Sequence, residues 1–302
     1  MTKYLFHFLS MLLVLNCSQK IDLTFAGGFK GGTYFLIGES LSILKDFNVK
    51  EISTDGSLDN LYHLSDKKAD FSISQMDVVQ NLSIGDRETL SKIKVLFPIY
   101  GEEVHIIANK TVTQIKDLKG KKISIGDSES GSKYTSLIFL DQMGINGETT
   151  TLEEIGSSKS LEMLLEGKLD AMVLVAGAPV KMLAELSNEK SDKIHLLSFP
   201  EENLQVVRGT NLTYQRSEIG ASTYSWEIKP ISTIVVQSVM IVRSDIEEKK
   251  IKKFIKTVFK NKELLSTKHE KWKNLSKENL EKHFNKNPDV FHPIIKDLLG
   301  EI

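Results

Sequence analysis

The sequence predicts an α/β protein made of two similar lobes that are joined by two long strands. Short alternating or apolar runs of strand type are separated by runs with helical spacing, which predicts mainly parallel sheets flanked by helices. The same succession of elements returns about 100 residues further on. Two long runs rich in β-branched residues stand on either side of the second set, as a two-strand hinge would require.

The first set of elements begins with IDLTF, in which apolar and polar residues alternate as in a half-buried strand. The glycine-rich turn AGGFKGGTY follows, and Ile37, Leu41 and Leu44 then mark one face of a helix. VKEIST predicts a second strand, LDNLYHLSDKK a short helix and DFSIS a third strand. This order favours a parallel sheet with helices on its faces.

The second set repeats this order. KKISIG, TTLEEI and LDAMVLV predict strands, and KYTSLIFLDQMGI and SSKSLEMLLEGK predict the helices between them. Thr33 corresponds to Ser132, 99 positions later, and Asp70 corresponds to Asp170, 100 positions later. The two sets therefore predict two lobes of one design.

The two hinge strands are predicted in VLFPIYGEEVHIIANK and ISTIVVQSVMIVRSD. The chain would leave the first lobe along one strand, build the second lobe and return along the other. We predict lobe I from residues 20–105 and 233–302, and lobe II from residues 106–232. The charged helical segments of the C-terminal third are expected to pack back on lobe I.

The N-terminal segment MTKYLFHFLSMLLVLNCSQK is typical of a secretory signal, because its apolar run is shorter than the about 20 residues that span a bilayer. VLNC resembles a bacterial lipobox and departs from it at Asn16. We therefore predict a signal segment over residues 1–17 that ends at a lipid-carrying Cys17, the only cysteine; an ordinary cleaved signal is the alternative. Either interpretation places the body of the protein outside the cytoplasm, in the periplasm or an equivalent space, and a single cysteine excludes an intrachain disulfide.

The composition argues against several classes of function. The 302 residues carry a net charge of −1, with 40% hydrophobic and 26% charged residues, so no overall field favours nucleic acid. The lysine-rich stretches also contain acidic residues, as solvated helix faces do. The histidines show no ligand spacing, so we expect no metal site and no cofactor.

The first glycine-rich turn has part of the spacing of a phosphate-binding loop. Gly27 and Gly32 stand at the right distance, but Thr33 occupies the position of the required lysine, which argues against nucleotide hydrolysis. Backbone N–H groups at the start of a helix, freed by glycines, can still bind a carboxylate or phosphate. A tight turn without a ligand is the alternative.

The turn GDSESGS in the second set nearly matches the nucleophile elbow of hydrolases, with Ser130 at its last glycine position. Asp127 and Glu129 would oppose an oxyanion, so a hydrolase is the less favoured interpretation. Ser130, Gly131 and Ser132 offer hydroxyl and N–H groups at a helix start, and they would also serve as a plain N-cap.

Two further junctions between a strand and a helix carry small polar residues. They are TDGSLDN, from Thr54 to Asn60, and AGAP, where Gly177 would let a ligand approach the backbone. Ligands of open α/β sheets bind at the carboxyl ends of strands, so four such junctions, two per lobe, predict one shared cleft.

Several single side chains carry separate expectations. His105 lies in a strand pattern and is expected to be a satisfied scaffold histidine. Glu102 and its neighbour Glu103 are expected in a polar, exposed context. Tyr34, Tyr224 and Trp226 could close over a ligand or serve only in packing.

Blocks of the sequence resemble the TAXI-type (TRAP-associated extracytoplasmic immunogenic) solute receptors. The blocks GGTYFLIGESLSIL, STDGSLDNL, ADFSISQMDVV, DLKGKKISIGDSESGS and VLVAGAPV follow one another in the order of that family, and the likeness runs from about Leu23 to the C-terminus. The resemblance implies a type II periplasmic-binding-protein clamshell that captures a small anionic solute, typically glutamate, glutamine or a related dicarboxylate. It also implies transfer of the solute to a TRAP-type membrane permease, without catalysis.

Carried onto this chain, the resemblance implies ligand contacts from glycines, hydroxyls, amides and one tyrosine. The candidate residues are Gly32, Thr33, Tyr34, Thr54, Ser57, Asn60, Gln75, Ser130, Gly131, Ser132 and Gly177. The chain departs from the family at Glu129, which places a carboxylate beside the expected anion site, and at the segment from Ala221 to Tyr224. A surface lipoprotein of the same fold that senses a ligand or binds another protein is the alternative function.

Overall fold

A computed structural model describes residues 20–200 and 214–302 of the chain. The predicted signal segment 1–17 and Cys17 lie outside the described residues. Within the described stretches, none of the helices combines the length and the apolar character that crossing a membrane requires.

The described strands form one mixed sheet, in which the sheet order reflects the two sets of elements. The strands are β1 (Ile21–Ala26), β2 (Phe47–Ile52), β3 (Phe71–Gln75), β4 (Ile93–Asn109), β5 (Lys122–Ser124), β6 (Thr151–Glu153), β7 (Ala171–Ala176), β8 (Ile194–Leu196), β9 (Tyr214–Ile219) and β10 (Ile231–Arg243). The order is β2-β1-β3-β10-β4-β7-β5-β6, with β8 on β4 and β9 on β10. From one edge inward the order is β2, β1, β3 and the long strand β10, and from the other edge it is β6, β5, β7 and the long strand β4. Each half therefore has the second, first and third strand of its set in the same places, which confirms two lobes of one design.

Strand directions explain why the sheet is mixed rather than mainly parallel throughout. β1 runs parallel to β2 and β3, and β5 runs parallel to β6 and β7, as the sequence predicts. The long strands run antiparallel to their neighbours, β10 to β3 and β4 to β7. β4 enters lobe II from the hinge, and β10 enters lobe I from the hinge. The carboxyl ends of β7 and β3 point towards the hinge, so each long strand runs antiparallel to its neighbour.

Helices cover the faces of the sheet and follow the predicted positions. They are α1 (Thr33–Ser40), α2 (Ser57–Ser65), α3 (Met76–Gly85), α4 (Arg87–Ser91), α5 (Gly131–Gln142), α6 (Ser157–Leu165), α7 (Lys181–Ala184), α8 (Asn188–Ser191), α9 (Glu248–Lys260), α10 (Lys262–Ser266), α11 (Lys277–Lys286) and α12 (Ile294–Leu298). Short 3₁₀ helices lie at Leu41–Ile43, Ile115–Leu118, Glu270–Asn274 and Pro288–Val290.

The hydrophobic core is divided as two lobes require. One cluster uses residues up to Tyr100 and again from Val239 onwards, whereas two other clusters use residues between Val104 and Val236. Both long strands therefore pass from one core to the other within a few residues. The predicted lobe limits lie close to these positions and stay a prediction.

The C-terminal helices pack on lobe I, as predicted. Helix α9 buries Phe254 on its apolar face, and the Phe254 ring lies 4.3 Å from Phe71 and 5.7 Å from Phe47 between ring centroids. This apolar face follows the helical period, while lysines occupy the opposite face. The lysine-rich segment is therefore a solvated helix face, as its charge pattern predicts.

Candidate functional site

A cavity of about 320 Å³ lies between the lobes, where strand ends from both sets meet. Its lining consists of Gly27, Gly28, Phe29, Gly32, Thr33, Tyr34, Asp55, Gly56, Ser57, Gln75, Tyr100, Glu102, Asp127, Ser130, Gly131, Ser132, Gly156, Ser157, Ser158, Lys159, Val175 and Ala176. All four predicted strand-to-helix junctions contribute to this lining. A concave site at the junction of two lobes is a common place for a small ligand.

Four helices, two from each lobe, begin at this cavity. The N-cap residues of α1, α2, α5 and α6 are Gly32, Gly56, Ser130 and Gly156, and all four line the cavity. The first N–H groups of a helix lack partners within the helix and carry partial positive charge. The four helix starts therefore give the cavity a positive backbone potential that favours an anionic group.

Two of these helix starts, those of α2 and α5, already have hydrogen-bond partners from the described residues. The backbone carbonyl of Glu129 accepts from the N–H groups of Leu58 and Asp59 in α2 at 3.1 and 3.2 Å. The Ser130 hydroxyl accepts from the N–H of Lys133 in α5 at 3.1 Å. No side chain caps α1 or α6, so these two helices, one in each lobe, are best placed to bind a ligand anion.

Eight of the eleven residues predicted to contact a ligand line the cavity: Gly32, Thr33, Tyr34, Ser57, Gln75, Ser130, Gly131 and Ser132. Thr54 and Asn60 lie behind the cavity wall. The Thr54 hydroxyl accepts from the N–H of Gly28 at 2.8 Å and donates to Asn60 at 2.6 Å. The Asn60 amide in turn donates to the carbonyl of Ile73 at 2.8 Å. These two residues therefore hold the turn in place.

Gly177 is next to the cavity lining, but a protein side chain occupies the space that the sequence assigned to a ligand. A Cβ atom at Gly177 would lie 2.7 Å from the Tyr100 ring and 2.8 Å from the Lys271 side chain. The Gly177 carbonyl accepts from the Thr33 hydroxyl at 3.3 Å, which links the two lobes. The missing side chain therefore permits packing between lobes.

Glu102 and Tyr100 are cavity residues that the sequence did not assign to the site. The expectation that Glu102 is exposed is wrong, because it is 3% exposed and accepts from the Tyr34 hydroxyl at 2.5 Å. Burial raises the pKa of Glu102 well above its ordinary value. Glu103 is also largely buried, with an oxygen that accepts from the N–H of Ala178 at 2.8 Å.

A period of two along β4 could have identified these residues. Tyr100, Glu102 and Val104 are spaced two residues apart along β4, so their side chains lie on the same face of the strand. Tyr100 and Val104 are buried, and Glu102 is buried between them. The segment from Gly156 to Lys159 was missed for a different reason. Gly156 stands 100 positions after Gly56, which belongs to a predicted junction. The internal repeat could therefore have identified this segment as part of the site.

The remaining aromatic candidates lie in the core of lobe II. The Tyr224 hydroxyl lies 2.8 Å from Nε2 of His105, and its ring stacks on Trp226 with centroids 5.3 Å apart. His105 is fully buried, and its Nδ1 lies 2.9 Å from the carbonyl of Glu103. The prediction of a satisfied scaffold histidine is confirmed, and of the three aromatic candidates only Tyr34 lines the cavity.

Acidic residues from both lobes meet beside the cavity. One carboxylate oxygen from each of Asp55, Asp59 and Glu129 lies within 4.8 Å of the others. Partial burial, followed by the charges of Asp59 and Asp55, raises the pKa of Glu129. Exposed acidic groups of this kind are common on proteins and do not define a metal site by themselves.

The fold and the cavity define the class of two-lobed α/β proteins that hold a small ligand between their lobes, the periplasmic-binding-protein clamshell. Residues 25–293 match the NMT1-like family, and the chain belongs to that family.

Solved structures share this fold at low sequence identity. The ligand-binding core of GluR0 from Nostoc punctiforme, in complex with L-glutamate, is 15% identical over 84% of this chain and 100% of that chain, with a TM-score of 0.50. PhnD1 from Prochlorococcus marinus, in complex with methylphosphonate, is 14% identical over 89% and 98%, with a TM-score of 0.55. An arginine-specific periplasmic binding protein from Salmonella typhimurium is 13% identical over 83% and 99%, with a TM-score of 0.52.

Proposed function

We propose that the protein is an extracytoplasmic receptor that binds a small carboxylate-bearing solute and passes it unaltered to a TRAP-type membrane permease. Glutamate, glutamine and related dicarboxylates are the proposed solutes. The observation that carries this proposal is the convergence of four helix N-termini, from both lobes, on one cavity. Backbone N–H groups at helix starts bind carboxylates without requiring a protein cation.

The proposed mechanism is closure of the lobes around the solute. β4 and β10 would act as the hinge, because both run through the two lobes. In the described conformation, Thr135 of lobe II donates to the carboxylate of Asp77 in lobe I at 2.7 Å, and Gln75 donates to Thr135 at 3.3 Å. A solute that touches α1 and α6 together would favour this closed arrangement over an open one.

The hydroxyls of the cavity favour binding over hydrolysis. The Ser130 hydroxyl donates to the carbonyl of Asp127 at 2.8 Å, and the Ser132 hydroxyl accepts from the N–H of Val175 at 3.0 Å. Among the described residues that line the cavity there is no histidine that could activate a serine. A nucleophile needs such a base within hydrogen-bonding reach.

The solved structures with this fold support a small charged solute. Those proteins were crystallised with L-glutamate or methylphosphonate, or are specific for arginine. The TAXI-like blocks of the sequence favour the TRAP permease as the partner. We also propose that Cys17 carries a lipid that anchors the mature protein to a bacterial membrane. Mass spectrometry of the mature N-terminus would test this anchor, and an unmodified product that starts after Cys17 would contradict it.

Isothermal titration calorimetry with L-glutamate, L-glutamine, 2-oxoglutarate and succinate tests the solute class. We expect micromolar or tighter binding of at least one of them. The Ser157→Asp variant would place a carboxylate at the start of α6 inside the cavity, so the affinity should fall at least about tenfold, or about 1.4 kcal/mol. An aspartate in the first turn suits a helix, so folding should be preserved.

Ser187→Asp is the matched control. It also introduces an aspartate at a helix N-terminus, that of α8, and Ser187 does not line the cavity. Its affinity should equal that of the wild type. The absence of heat with all four compounds, at concentrations that detect micromolar binding, would refute the proposed solute class.

A further inference from the structure

Glu102 is a buried carboxylate without a counter-ion. It lines the cavity, and its one described hydrogen bond is the one from the Tyr34 hydroxyl. Glu103, the next residue, lies within 3.9 Å of the Lys271 ammonium, whereas Glu102 forms no ion pair within the described part of the chain. A carboxylate in a low-dielectric site is costly unless a cation accompanies it. A cation supplied by a ligand would offset this cost.

Tyr100 supplies a second unused polar group at the same place. Its hydroxyl is buried and has no hydrogen-bond partner within residues 20–200 and 214–302. Tyr100 and Glu102 lie on the same face of β4, and both line the cavity. Buried polar groups in proteins are nearly always hydrogen-bonded, so this hydroxyl would gain a partner from a ligand group that approaches it from the cavity.

The charges of the whole lining favour a ligand that carries a cation as well as an anion. The acids among the lining residues are Asp55, Glu102 and Asp127, and Lys159 is the one lysine. Lys159 is itself paired with Glu162 at 2.8 Å and is more than half exposed. A dicarboxylate without an amine would bring further negative charge to this lining, whereas an ammonium group would offset it.

We propose that Glu102 and Tyr100 bind the ammonium group of an amino-acid solute, and that this contact selects amino acids over amine-free carboxylates of the same skeleton. This inference rests on the proposed function, in which the helix N-termini hold the solute carboxylate. An ammonium group has three N–H donors. One can donate to the Glu102 carboxylate and another to the Tyr100 hydroxyl, so both unused groups gain a partner.

Matched ligand pairs test the selection directly. Glutarate is glutamate without its amine, and glutaramate is glutamine without its amine. Calorimetry on the wild-type protein should show that at least one amino acid binds at least about 30-fold more tightly than its amine-free analogue, as expected when a buried carboxylate loses its cation. Equal binding of amino acid and analogue would overturn the inference and leave the proposed function standing. Failure of these four compounds, together with 2-oxoglutarate and succinate, to bind would overturn both.

The Glu102→Gln variant tests which residue is responsible. It keeps the shape of the side chain and removes its charge, so the ratio between the two affinities should fall to less than about fivefold, mainly because the amino acid binds more weakly. Glu103→Gln is the matched control, since Glu103 does not line the cavity, and its ratio should remain at the wild-type value. An unchanged ratio in Glu102→Gln would overturn the assignment.

A second variant tests the inference independently, in case Glu102→Gln fails to fold. Tyr100→Phe removes only the orphan hydroxyl, so the fold should tolerate it. The ratio should fall at least about threefold, the effect of one lost hydrogen bond. A wild-type ratio in Tyr100→Phe would show that the hydroxyl does not contact the amine and would contradict its part in the inference.

Discussion

Asp70 in lobe I and Asp170 in lobe II occupy equivalent positions and make the same backbone contacts. The Asp70 carboxylate accepts from the N–H of Thr24 at 2.8 Å, and the Asp170 carboxylate accepts from the N–H of Lys122 at 2.9 Å. Each aspartate N–H also donates to the carbonyl of the same partner. In both lobes, the aspartate before the third strand is thus bound to the first strand by the same pair of hydrogen bonds.

The lobes differ in the side chains that they present to the cavity. β3 ends at Gln75, whose side chain donates towards lobe II, whereas the equivalent residue of β7 is Val175. α1 supplies Tyr34, two residues after its N-cap, and the equivalent residue of α5 is Ser132, whose hydroxyl accepts from the N–H of Val175 at 3.0 Å. The scaffold is therefore repeated, while Tyr34, Gln75, Tyr100 and Glu102 of the cavity lining come from lobe I and β4. Lobe II contributes helix starts, small residues, Asp127 and Lys159.

The largest expected difference between the lobes concerns the two aspartates themselves. Asp70 is paired with Arg243 at 2.8 Å in a largely buried site, whereas the side chain that donates to Asp170 in the described part of the chain is the neutral Asn109 amide, at 3.2 Å. We expect Asp70→Ala to lower the free energy of unfolding by about 3 kcal/mol and Asp170→Ala by about 1.5 kcal/mol. Chemical denaturation followed by circular dichroism would measure both.

Exposed carboxylates at equivalent positions serve as controls for this pair. Asp66 pairs with Lys68 at 3.0 Å, and Glu166 pairs with Lys168 at 2.7 Å. Alanine at either acidic position should leave the midpoint of unfolding at its wild-type value, because ion pairs in water contribute little to stability. Equal losses for Asp70→Ala and Asp170→Ala would show that the backbone contacts, and not the arginine, carry the stability.

The contact between lobes at Gly131 should have the next largest effect. A Cβ atom at Gly131 would lie 1.4 Å from Oε1 of Gln75 and 2.7 Å from the Ser57 hydroxyl, so a side chain there would displace the Gln75 amide that bonds to Thr135 of lobe II. We expect Gly131→Ala to weaken binding of the best carboxylate of the calorimetry panel about 100-fold, or about 2.8 kcal/mol. Gly147→Ala is the control, because nothing lies within 4 Å of its Cβ position. Wild-type affinity in Gly131→Ala would contradict the proposed closure.

We expect a smaller effect, on the pH dependence of stability, from a buried acid in lobe I. Both carboxylate oxygens of Glu51 are buried without a partner in the described chain, and burial, together with Glu39, raises the pKa of Glu51 to about 8. Leu152 stands at the equivalent strand position in lobe II.

The sign of this effect follows from linkage. The folded state holds the Glu51 proton more tightly than the unfolded chain, so stability falls as the pH rises from about 4.5 to about 8. Glu51→Gln removes this loss and should be more stable than the wild type by about 1 kcal/mol at pH 8.5, after allowance for partial exposure. Thermal unfolding at several pH values would measure it, with Glu153→Gln as the lobe II control. A pH-independent difference would contradict the buried charge.

The smallest expected effect lies in the turn after the second helix of each set. Lys67 has a φ of +60° and its counterpart Gly167 a φ of +74°, in the region that glycine tolerates best. We expect Lys67→Gly to stabilise the protein by about 0.5 kcal/mol and Gly167→Ala to destabilise it by about 1 kcal/mol. The Cβ position of Gly167 has no neighbour within 4 Å, so a loss in Gly167→Ala would report backbone strain alone. No loss would show that the turn relaxes.

The sequence predicted the order of strands and helices, because periodicity and turn residues act over a few positions. It also predicted that four junctions lie at one cleft, since parallel strands put their carboxyl ends at a common edge. It did not predict that β4 buries Glu102 in the cavity wall, because an acidic pair in a strand is usually exposed. Ligand contacts at Thr54 and Asn60 stay a prediction; in the structure these side chains bond to each other and to the backbone of lobe I.

The sequence by itself determined the repeated α/β architecture, the two long connecting strands and the glycines at the helix starts. Only the tertiary structure decided which groups face the cavity, that Gln75 approaches Gly131, and that no cation among the described residues pairs with Glu102. The physical reason is range. Local patterns fix each element and its buried face, whereas the contacts between lobes join residues far apart in the chain, and their geometry depends on the packing of the whole fold.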